Sequence, residues 1–176
     1  IALAGAPEVR ARLEEELARE LGGRTPALAD LPRLPYTLAV LEEALRLYPP
    51  AYVVGRAAVR AVALGPARVE PGHIVLVPIR AIQRRPDYWP EPEAFRPERF
   101  LGDAGALHGR RPGYLPFGAG PRVCIGNHFA LTEAQLILAT WAQRFRFRLA
   151  RPGAIEPEPL VTLRPKGGVP AIVEAR

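Results

Sequence analysis

A single sulfur stands inside a run of glycines and prolines. Residues 116–130 read PFGAGPRVCIGNHFA, and Cys124 is the only cysteine in the sequence. Because glycine admits backbone angles that other residues avoid and proline fixes a turn, residues 117–126 are predicted to form a tight loop, the cysteine loop. An apolar helical repeat follows, so the helix dipole, free backbone N–H groups and Arg122 should favour the Cys124 thiolate. A thiolate can bind a metal ion or attack an electrophile.

Nucleophilic catalysis is one chemistry open to that thiolate. His128 lies four residues after Cys124, one helical turn away, which would suit a thiolate–imidazolium pair. No Asn or Asp is evidently placed to orient the His128 ring, so its interpretation as a surface residue of the first turn is favoured. Metal ligation is the other chemistry, and it needs only the sulfur.

A second constellation pairs opposite charges on a predicted helix. Glu43 and Arg46 are three residues apart, so they are neighbours on one helix face. A helical wheel puts that face opposite an apolar stripe, which consists of Leu38, Leu41, Leu45 and Tyr48. This segment alone therefore predicts a solvent-exposed pair that contributes a few tenths of a kcal/mol to stability.

The cysteine loop resembles the haem-binding loop of the cytochrome P450 family, the haem-thiolate monooxygenases. The matching positions are Phe117, Gly120, Arg122, Cys124 and Gly126. The resemblance implies that Cys124 is the axial ligand of haem b (iron protoporphyrin IX), where a thiolate pushes electron density toward the iron and favours O–O cleavage. It also implies that Arg122 pairs with a haem propionate and that Phe117 covers the sulfur. Gly118 and Gly126 would let backbone N–H groups reach the thiolate.

The charged helix pair has a place in the same resemblance. Glu43-x-x-Arg46 and the following Leu47-Tyr48-Pro49-Pro50 are similar to the family's ion-pair helix, and Pro97-Glu98-Arg99-Phe100 is similar to the segment that completes its ion pairs. The resemblance implies that Glu43, Arg46 and Arg99 form a buried cluster, in which planar guanidinium groups hold a carboxylate at two points. Loss of one member would then leave a buried charge without its partner.

Further site residues are implied by the resemblance alone. The segment after the two prolines would cross the haem face, so Ala51 and Val53 become candidate substrate contacts and Arg56 becomes a second propionate partner. For Ala51 and Val53, plain core packing is an equal alternative. Leu160 and Val161 match a hairpin whose tip reaches the substrate pocket of the family.

Hydrophobic periodicity predicts the elements that position these residues. Helices are expected at Pro7–Leu21, Tyr36–Leu47, Pro78–Arg85 and Ile125–Phe145, the first largely solvated and the last well buried. Strands are expected at Ala51–Val54 and Ile74–Val77, both buried, in a hairpin at Ala58–Val69, and between Pro157 and Ile172. The predicted fold class is mainly α with small β-sheets (α+β), and the resemblance implies the C-terminal haem-binding portion of the cytochrome P450 fold.

Two connecting segments complete the predicted fold. Pro86–Phe95 is too rich in proline for anything but an ordered loop, and just before it Gln83 stands where members of the family often have histidine. Leu101–Gly113 is predicted to be a surface meander with His108 in solvent.

Composition restricts the class of protein. Apolar residues make up 48% of the 176, enough for one domain core, and we interpret residues 1–176 as a single partial domain of a bacterial-type family member. The absence of Met indicates a piece of a longer protein or a trimmed product. The resemblance implies that the N-terminal half and the oxygen-activating helix of the family are not in this sequence. One cysteine excludes an internal disulfide framework, and no C-x-x-C-H stretch supports covalent haem attachment.

Charge and hydropathy narrow the partners. The formal net charge is +6, and the arginines are scattered while Lys166 is the only lysine, which argues against a nucleic-acid partner. No run approaches the roughly 18 apolar residues of a membrane span, and the expected location is the cytoplasm.

The function implied by the resemblance is oxidation of an apolar organic molecule. Such an enzyme inserts one atom of dioxygen into a small apolar substrate and receives electrons from a ferredoxin or a reductase. A haem-binding or sensing module without oxygenase activity is the alternative. Fatty acids, terpenes and carotenoids all suit an apolar pocket wall.

Overall fold

Helices and short strand pairs alternate along the chain in this computed structural model, which describes residues 2–102, 111–151 and 156–176. The α-helices are α1 (Pro7–Leu21), α2 (Pro35–Leu47), α3 (Ile79–Ile82) and α4 (Asn127–Arg144). Short 3-10 helices lie at Ala2–Gly5, Leu28–Arg33, Pro97–Phe100 and Gly120–Arg122. The antiparallel pairs are β1 (Val54–Ala57) with β4 (Ile74–Val77), β2 (Val62–Leu64) with β3 (Ala67–Val69), β5 (Phe145–Leu149) with β8 (Ala171–Ala175), and β6 (Pro157–Pro159) with β7 (Leu163–Pro165). The predicted α+β class is confirmed.

Helix α1 forms where the sequence predicts it. Pro7 occupies the first turn, and Gly22, with φ of 56°, ends the helix in the left-handed conformation while its N–H donates to Ala18 O. Its buried apolar residues are Val9, Leu13, Leu17 and Leu21, four apart as predicted. They pack with Leu34, Tyr36 and Val40 around α2 to form the main core.

Glu16 departs from the prediction that the charged residues of α1 are solvated. Its side chain is buried and accepts hydrogen bonds from Tyr36 N (2.7 Å), Thr37 N (2.8 Å) and Thr37 Oγ1 (2.7 Å). The first N–H groups of a helix have no partner within the helix, and the positive end of its dipole attracts a carboxylate. Glu16 therefore caps α2 from the neighbouring helix.

We expect the Glu16→Gln substitution to lower the free energy of unfolding by about 1–3 kcal/mol, because an amide nitrogen would face backbone donors in a buried site. Urea denaturation of the full-length protein measures this change. Glu15→Gln is the matched control, since Glu15 is the exposed neighbour on the same helix. Equal denaturation midpoints for the two variants would contradict the capping role of Glu16.

Helix α2 buries a different face from the predicted one. The stripe at Leu38, Leu41 and Leu45 is only half-buried and Tyr48 is exposed, whereas Glu43 and Arg46 are 0% exposed. The charged face is buried because α2 packs against the 3-10 helix Pro97–Phe100. The sequence-local prediction of a solvent-exposed ion pair is wrong.

Helix α4 likewise turns a different stripe inward. It begins at Asn127, two residues later than predicted, and its buried residues are Asn127, Leu131, Gln135 and Ala139. Trp141, an apolar residue of this helix, is 53% exposed, so the prediction of a well-buried helix is wrong. Gln135 occupies the core side because its amide donates to Leu31 O (3.3 Å) and Leu34 O (2.9 Å).

The positions of the strands are closer to the prediction than their burial is. The hairpin of β2 and β3 turns at Gly65-Pro66 as predicted, with φ of 57° at Gly65. Strand β1 begins at Val54, three residues later than the predicted start at Ala51. Its partner β4 is not buried as predicted, since Ile74 is 69% exposed. Strand β5 follows α4 directly, where no strand is predicted. His108 lies outside the described residues.

A carboxylate with three cationic or N–H partners fixes the connection between α1 and α2. Asp30 accepts from both terminal nitrogens of Arg24, from Ala27 N and from Arg33 Nη2, at 2.5–2.8 Å. The hydrogen bonds from Arg24, then from Ala27 N and Arg33, hold the pKa of Asp30 well below its usual range.

The described helices include none that is long and apolar enough to cross a bilayer.

The Asp30 interactions predict an acid-sensitive contribution to stability. A carboxyl whose pKa is lowered by folding stabilises the fold above its unfolded pKa of about 3.9, and the contribution is lost as pH falls through the folded value. We expect the stability difference between the full-length protein and its Asp30→Asn variant to be constant near neutral pH and to shrink below about pH 4. Denaturation midpoints measured across this range test it. Asp87→Asn, at an exposed pair with Arg85, should change little; a pH-independent Asp30→Asn difference would contradict the prediction.

Candidate functional site

The cysteine loop is held by its own backbone. Gly118 and Gly120 have φ of 74° and 71°, values that side-chain-bearing residues avoid, so the predicted need for glycine is confirmed at these positions. Cys124 N donates to Phe117 O at 2.9 Å, and Gly118 N donates to Leu115 O at 3.0 Å. These hydrogen bonds close the loop and set the place of Cys124.

Cys124 presents its sulfur at an open cavity of about 600 Å³. The cavity is lined by Gly118, Ala119, Gly120, Val123, Cys124, Ile125, Asn127 and His128. A Cβ at Gly126 would stand 3.9 Å from the Cys124 sulfur, so glycine keeps that side of the sulfur uncovered. An exposed, soft sulfur donor beside such a space is accessible to a metal ion.

The two arginines assigned to propionates are both exposed. Arg122 ends the 3-10 helix inside the cysteine loop, and Arg56 lies on β1, where its Nη1 donates to Gly55 O at 2.8 Å. Within the described ranges, neither guanidinium has a carboxylate partner, so both are available to an anionic group. Phe117 is half-buried and contributes its carbonyl to the Cys124 N–H.

The four apolar candidates for substrate contact lie in two segments that the structure joins. Tyr52 Oη donates to Leu160 O at 3.0 Å, and Leu163 N donates to Pro50 O at 2.9 Å. The segment with Ala51 and Val53 therefore meets the β6–β7 turn, which carries Leu160 and Val161. Core packing is wrong for Ala51, which is exposed, while Val53 is half-buried; Val161 is 98% exposed.

Glu43, Arg46 and Arg99 meet in the interior. Arg46 holds the Glu43 carboxylate at two points, with Nε to Oε2 at 2.7 Å and Nη2 to Oε1 at 2.8 Å. Arg99 Nε lies 3.4 Å from Glu43 Oε1, an ionic contact without hydrogen-bond alignment. Burial lowers the pKa of Arg99 below its ordinary value, and the nearby Glu43 carboxylate offsets only part of that effect. The cluster links α2 to the 3-10 helix Pro97–Phe100.

Arg46 satisfies every donor of its guanidinium. Besides its two bonds to Glu43, it donates through Nη1 to Gln83 O (2.9 Å) and Pro92 O (2.7 Å) and through Nη2 to Ala94 O (3.1 Å). Its guanidinium carbon also stands 5.1 Å from the centre of the Trp89 ring. Arg46 thus fixes the proline-rich loop onto α2.

The sequence has relatives among known proteins. The family model described as Cytochrome P450 matches residues 1–170. The chain belongs to the cytochrome P450 family. It is 43% identical over 170 residues to the cyclooctat-9-en-7-ol 5-monooxygenase of Streptomyces melanosporofaciens, which covers 97% of this chain and 37% of that protein.

Other P450 relatives come from bacteria and plants. The cyclooctatin synthase of Streptomyces melanosporofaciens is 43% identical over 157 residues, 89% of this chain and 34% of that protein. The 11-oxo-beta-amyrin 30-oxidase of Glycyrrhiza uralensis is 39% identical over 169 residues, 95% of this chain and 32% of that protein. The chain therefore spans about a third of the length of these P450 relatives.

Sequence reasoning missed one buried residue beside the P450 cysteine loop. In the sequence Gln83 differs from the family only in replacing a histidine often found there, yet its side chain is 0% exposed and hydrogen-bonds to both α2 and Leu115. The available signal was position, since an uncharged polar residue just before a proline-rich ordered loop is well placed to satisfy buried backbone groups.

Proposed function

We propose that this chain supplies the haem-thiolate part of a P450 monooxygenase, with Cys124 as the axial ligand of haem b. The observation that carries the proposal is the exposed Cys124 sulfur, which a glycine-containing loop holds at the mouth of a cavity of about 600 Å³. Membership of the P450 family supports the same assignment. Residues 1–176 would form one part of the domain that encloses the haem.

The residues around the sulfur fit that role. The Cys124 thiolate would bind the iron, Phe117 would lie against the sulfur, and Gly118 and Gly126 would let backbone N–H groups reach it. The exposed guanidinium groups of Arg122 and Arg56 would pair with the propionates. When bound, haem supplies the iron at which dioxygen is activated.

The apolar residues would form one wall of the substrate site. Ala51, Val53, Leu160 and Val161 offer no charge, so they would orient an apolar molecule by packing and exclude water from it. The relatives' names specify a monooxygenase of cyclooctat-9-en-7-ol and an oxidase of 11-oxo-beta-amyrin. We extend to this chain only the class of reaction, the oxidation of an apolar organic substrate.

The overall reaction balances with an external electron donor. A substrate C–H bond and dioxygen, with two electrons and two protons, give an alcohol and one water. A ferredoxin or a reductase would supply the electrons, and the scattered arginines give the chain the net positive charge of +6 that an acidic donor would recognise.

The test is spectroscopic and uses the full-length, haem-loaded protein that contains this chain. We expect the reduced, carbon monoxide-treated protein to show a Soret band red-shifted to the position typical of thiolate-ligated haem, which a sample without carbon monoxide lacks. No such band in folded, haem-supplied protein would overturn the proposal and favour thiol catalysis by Cys124 with His128.

Turnover separates the monooxygenase from a haem-binding or sensing module. With isotope-labelled dioxygen and a reductase, the product should carry one labelled oxygen atom, and the control without an electron donor should give none. A thiolate-type band without incorporation of label from any apolar substrate class, including fatty acids, terpenes and carotenoids, would favour the sensing module.

A further inference from the structure

Gln83 uses its whole side-chain amide in the interior. Nε2 donates to Leu45 O (3.1 Å) and to Arg46 O (3.0 Å), and Oε1 accepts from Leu115 N (2.7 Å). Its backbone carbonyl also accepts from Arg46 Nη1 at 2.9 Å. Both amide protons and the amide oxygen therefore have partners, in a side chain that is fully buried.

The acceptors of Gln83 belong to the last turn of α2. Helix α2 ends at Leu47, so the carbonyls of Leu45 and Arg46 have no N–H partner within the helix. A buried carbonyl without a hydrogen bond is unfavourable, and Gln83 satisfies both. Gln83 is thus a side-chain cap for the helix that carries the ion-pair cluster.

The N–H group that donates to Gln83 belongs to Leu115, just before the cysteine loop. Leu115 stands two residues before Phe117, and its own carbonyl accepts from Gly118 N at 3.0 Å. Phe117 O in turn accepts from Cys124 N at 2.9 Å. A short series of hydrogen bonds thus runs from the Gln83 amide through Leu115, Gly118 and Phe117 to Cys124.

The two residues before Leu115 are also anchored, one to α2 and one to the proline-rich loop. Tyr114 Oη donates to Glu42 O at 3.1 Å, and Trp89 Nε1 donates to Gly113 O at 3.2 Å. Burial raises the pKa of Tyr114 well above its ordinary value, so this hydroxyl stays a neutral donor. Gln83 is the last of three successive anchors and the one nearest the loop.

We propose that Gln83 is a positioning residue for Cys124, which fixes the start of the cysteine loop to the end of α2. This inference rests on the proposed function, in which Cys124 binds iron. An apolar residue at position 83 would free Leu115 N and two carbonyls, so the loop would lose its register against α2 while Cys124 itself stayed unchanged. The sulfur would then meet the iron in a smaller fraction of molecules.

The chain offers a matched control for this proposal. Gln135 is also buried and also donates through Nε2 to two backbone carbonyls, of Leu31 and Leu34, but it makes no hydrogen bond to the cysteine loop. Gln83→Leu and Gln135→Leu therefore remove the same chemical group from similar surroundings. A role in stability alone predicts the same behaviour for both variants.

The experiment measures the reduced, carbon monoxide-bound spectrum of the full-length, haem-loaded protein and both variants. We expect Gln83→Leu to halve the fraction of haem in the thiolate-type band, with a matching rise of the shorter-wavelength band of haem that has lost its thiolate. Gln135→Leu should keep the fraction of the parent protein. If Gln83→Leu does not fold, Gln83→Asn and Gln135→Asn replace the pair, because the shorter amide cannot span from α2 to Leu115.

The outcomes separate this inference from the proposed function. A parent protein without the thiolate-type band would overturn the proposed function and the inference with it. A parent protein with the band and a Gln83 variant that keeps it would overturn the inference alone. Equal loss of the band in the Gln83 and Gln135 variants would also overturn it, since the effect would then follow from lower stability.

Discussion

Replacing Cys124 by serine is expected to remove the red-shifted Soret band of the reduced, carbon monoxide-bound full-length protein. Serine keeps the size and the backbone of the loop but offers a hydroxyl, which ligates iron poorly and donates little electron density. Replacing a residue that hydrogen-bonds to a metal ligand typically lowers metal affinity or activity by about 10–100-fold. Loss of the ligand itself should therefore lower substrate oxygenation by more than about 100-fold.

A matched control adds a hydroxyl to the same cavity without removing the sulfur. Ala119 is exposed and lines the cavity with Cys124, so Ala119→Ser should keep both the band and the activity. Oxygenation that survived Cys124→Ser would show that another residue holds the iron. Circular dichroism of both variants confirms that the fold is intact.

The cysteine loop is the part of the site that the sequence predicts best. Its shape depends on glycines at positive φ and on hydrogen bonds between residues at most seven apart, so the information is local. The helix bounds of α1 and α2 are local in the same sense, because Pro7, Gly22 and Pro35 mark their ends. Such signals need no knowledge of distant parts of the chain.

Burial could not be predicted in this way. The apolar stripe of α2 indicates the wrong inner face, since Glu43 and Arg46 are buried by partners 37–56 residues further along the chain. Glu16 was assigned to solvent for the same reason, as its partners are 20 and 21 residues away. A helical wheel describes one segment, whereas the satisfaction of a buried charge depends on the backbone of several.

The burial of apolar residues could not be predicted from the sequence either. Trp141 and Ile74 read as core residues from periodicity, yet 53% and 69% of their surfaces are exposed. Periodicity identifies apolar residues at regular spacing, but it does not determine which of them the described residues cover.

The Arg46→Leu substitution is expected to be the most destabilising of those considered, lowering the free energy of unfolding by about 3–5 kcal/mol. It leaves the buried Glu43 carboxylate without its bidentate partner, and it leaves the carbonyls of Gln83, Pro92 and Ala94 without a donor. Denaturation of the full-length protein measures the loss. Arg85→Leu is the control, because the Arg85–Asp87 pair is about half exposed and should contribute no more than about 1 kcal/mol.

The conservative variant Arg46→Lys tests the geometry of the cluster. Lysine keeps the charge, but its three donors on one nitrogen cannot reach two carboxylate oxygens and three separate carbonyls, so most of the loss should remain. The double variant with Glu43→Leu should be less destabilised than the sum of the single variants, because removal of both charges strands neither. Full additivity would show that Arg46 and Glu43 do not stabilise the fold as a pair. An Arg46→Lys protein as stable as the parent would show that the charge suffices without the five hydrogen bonds of Arg46.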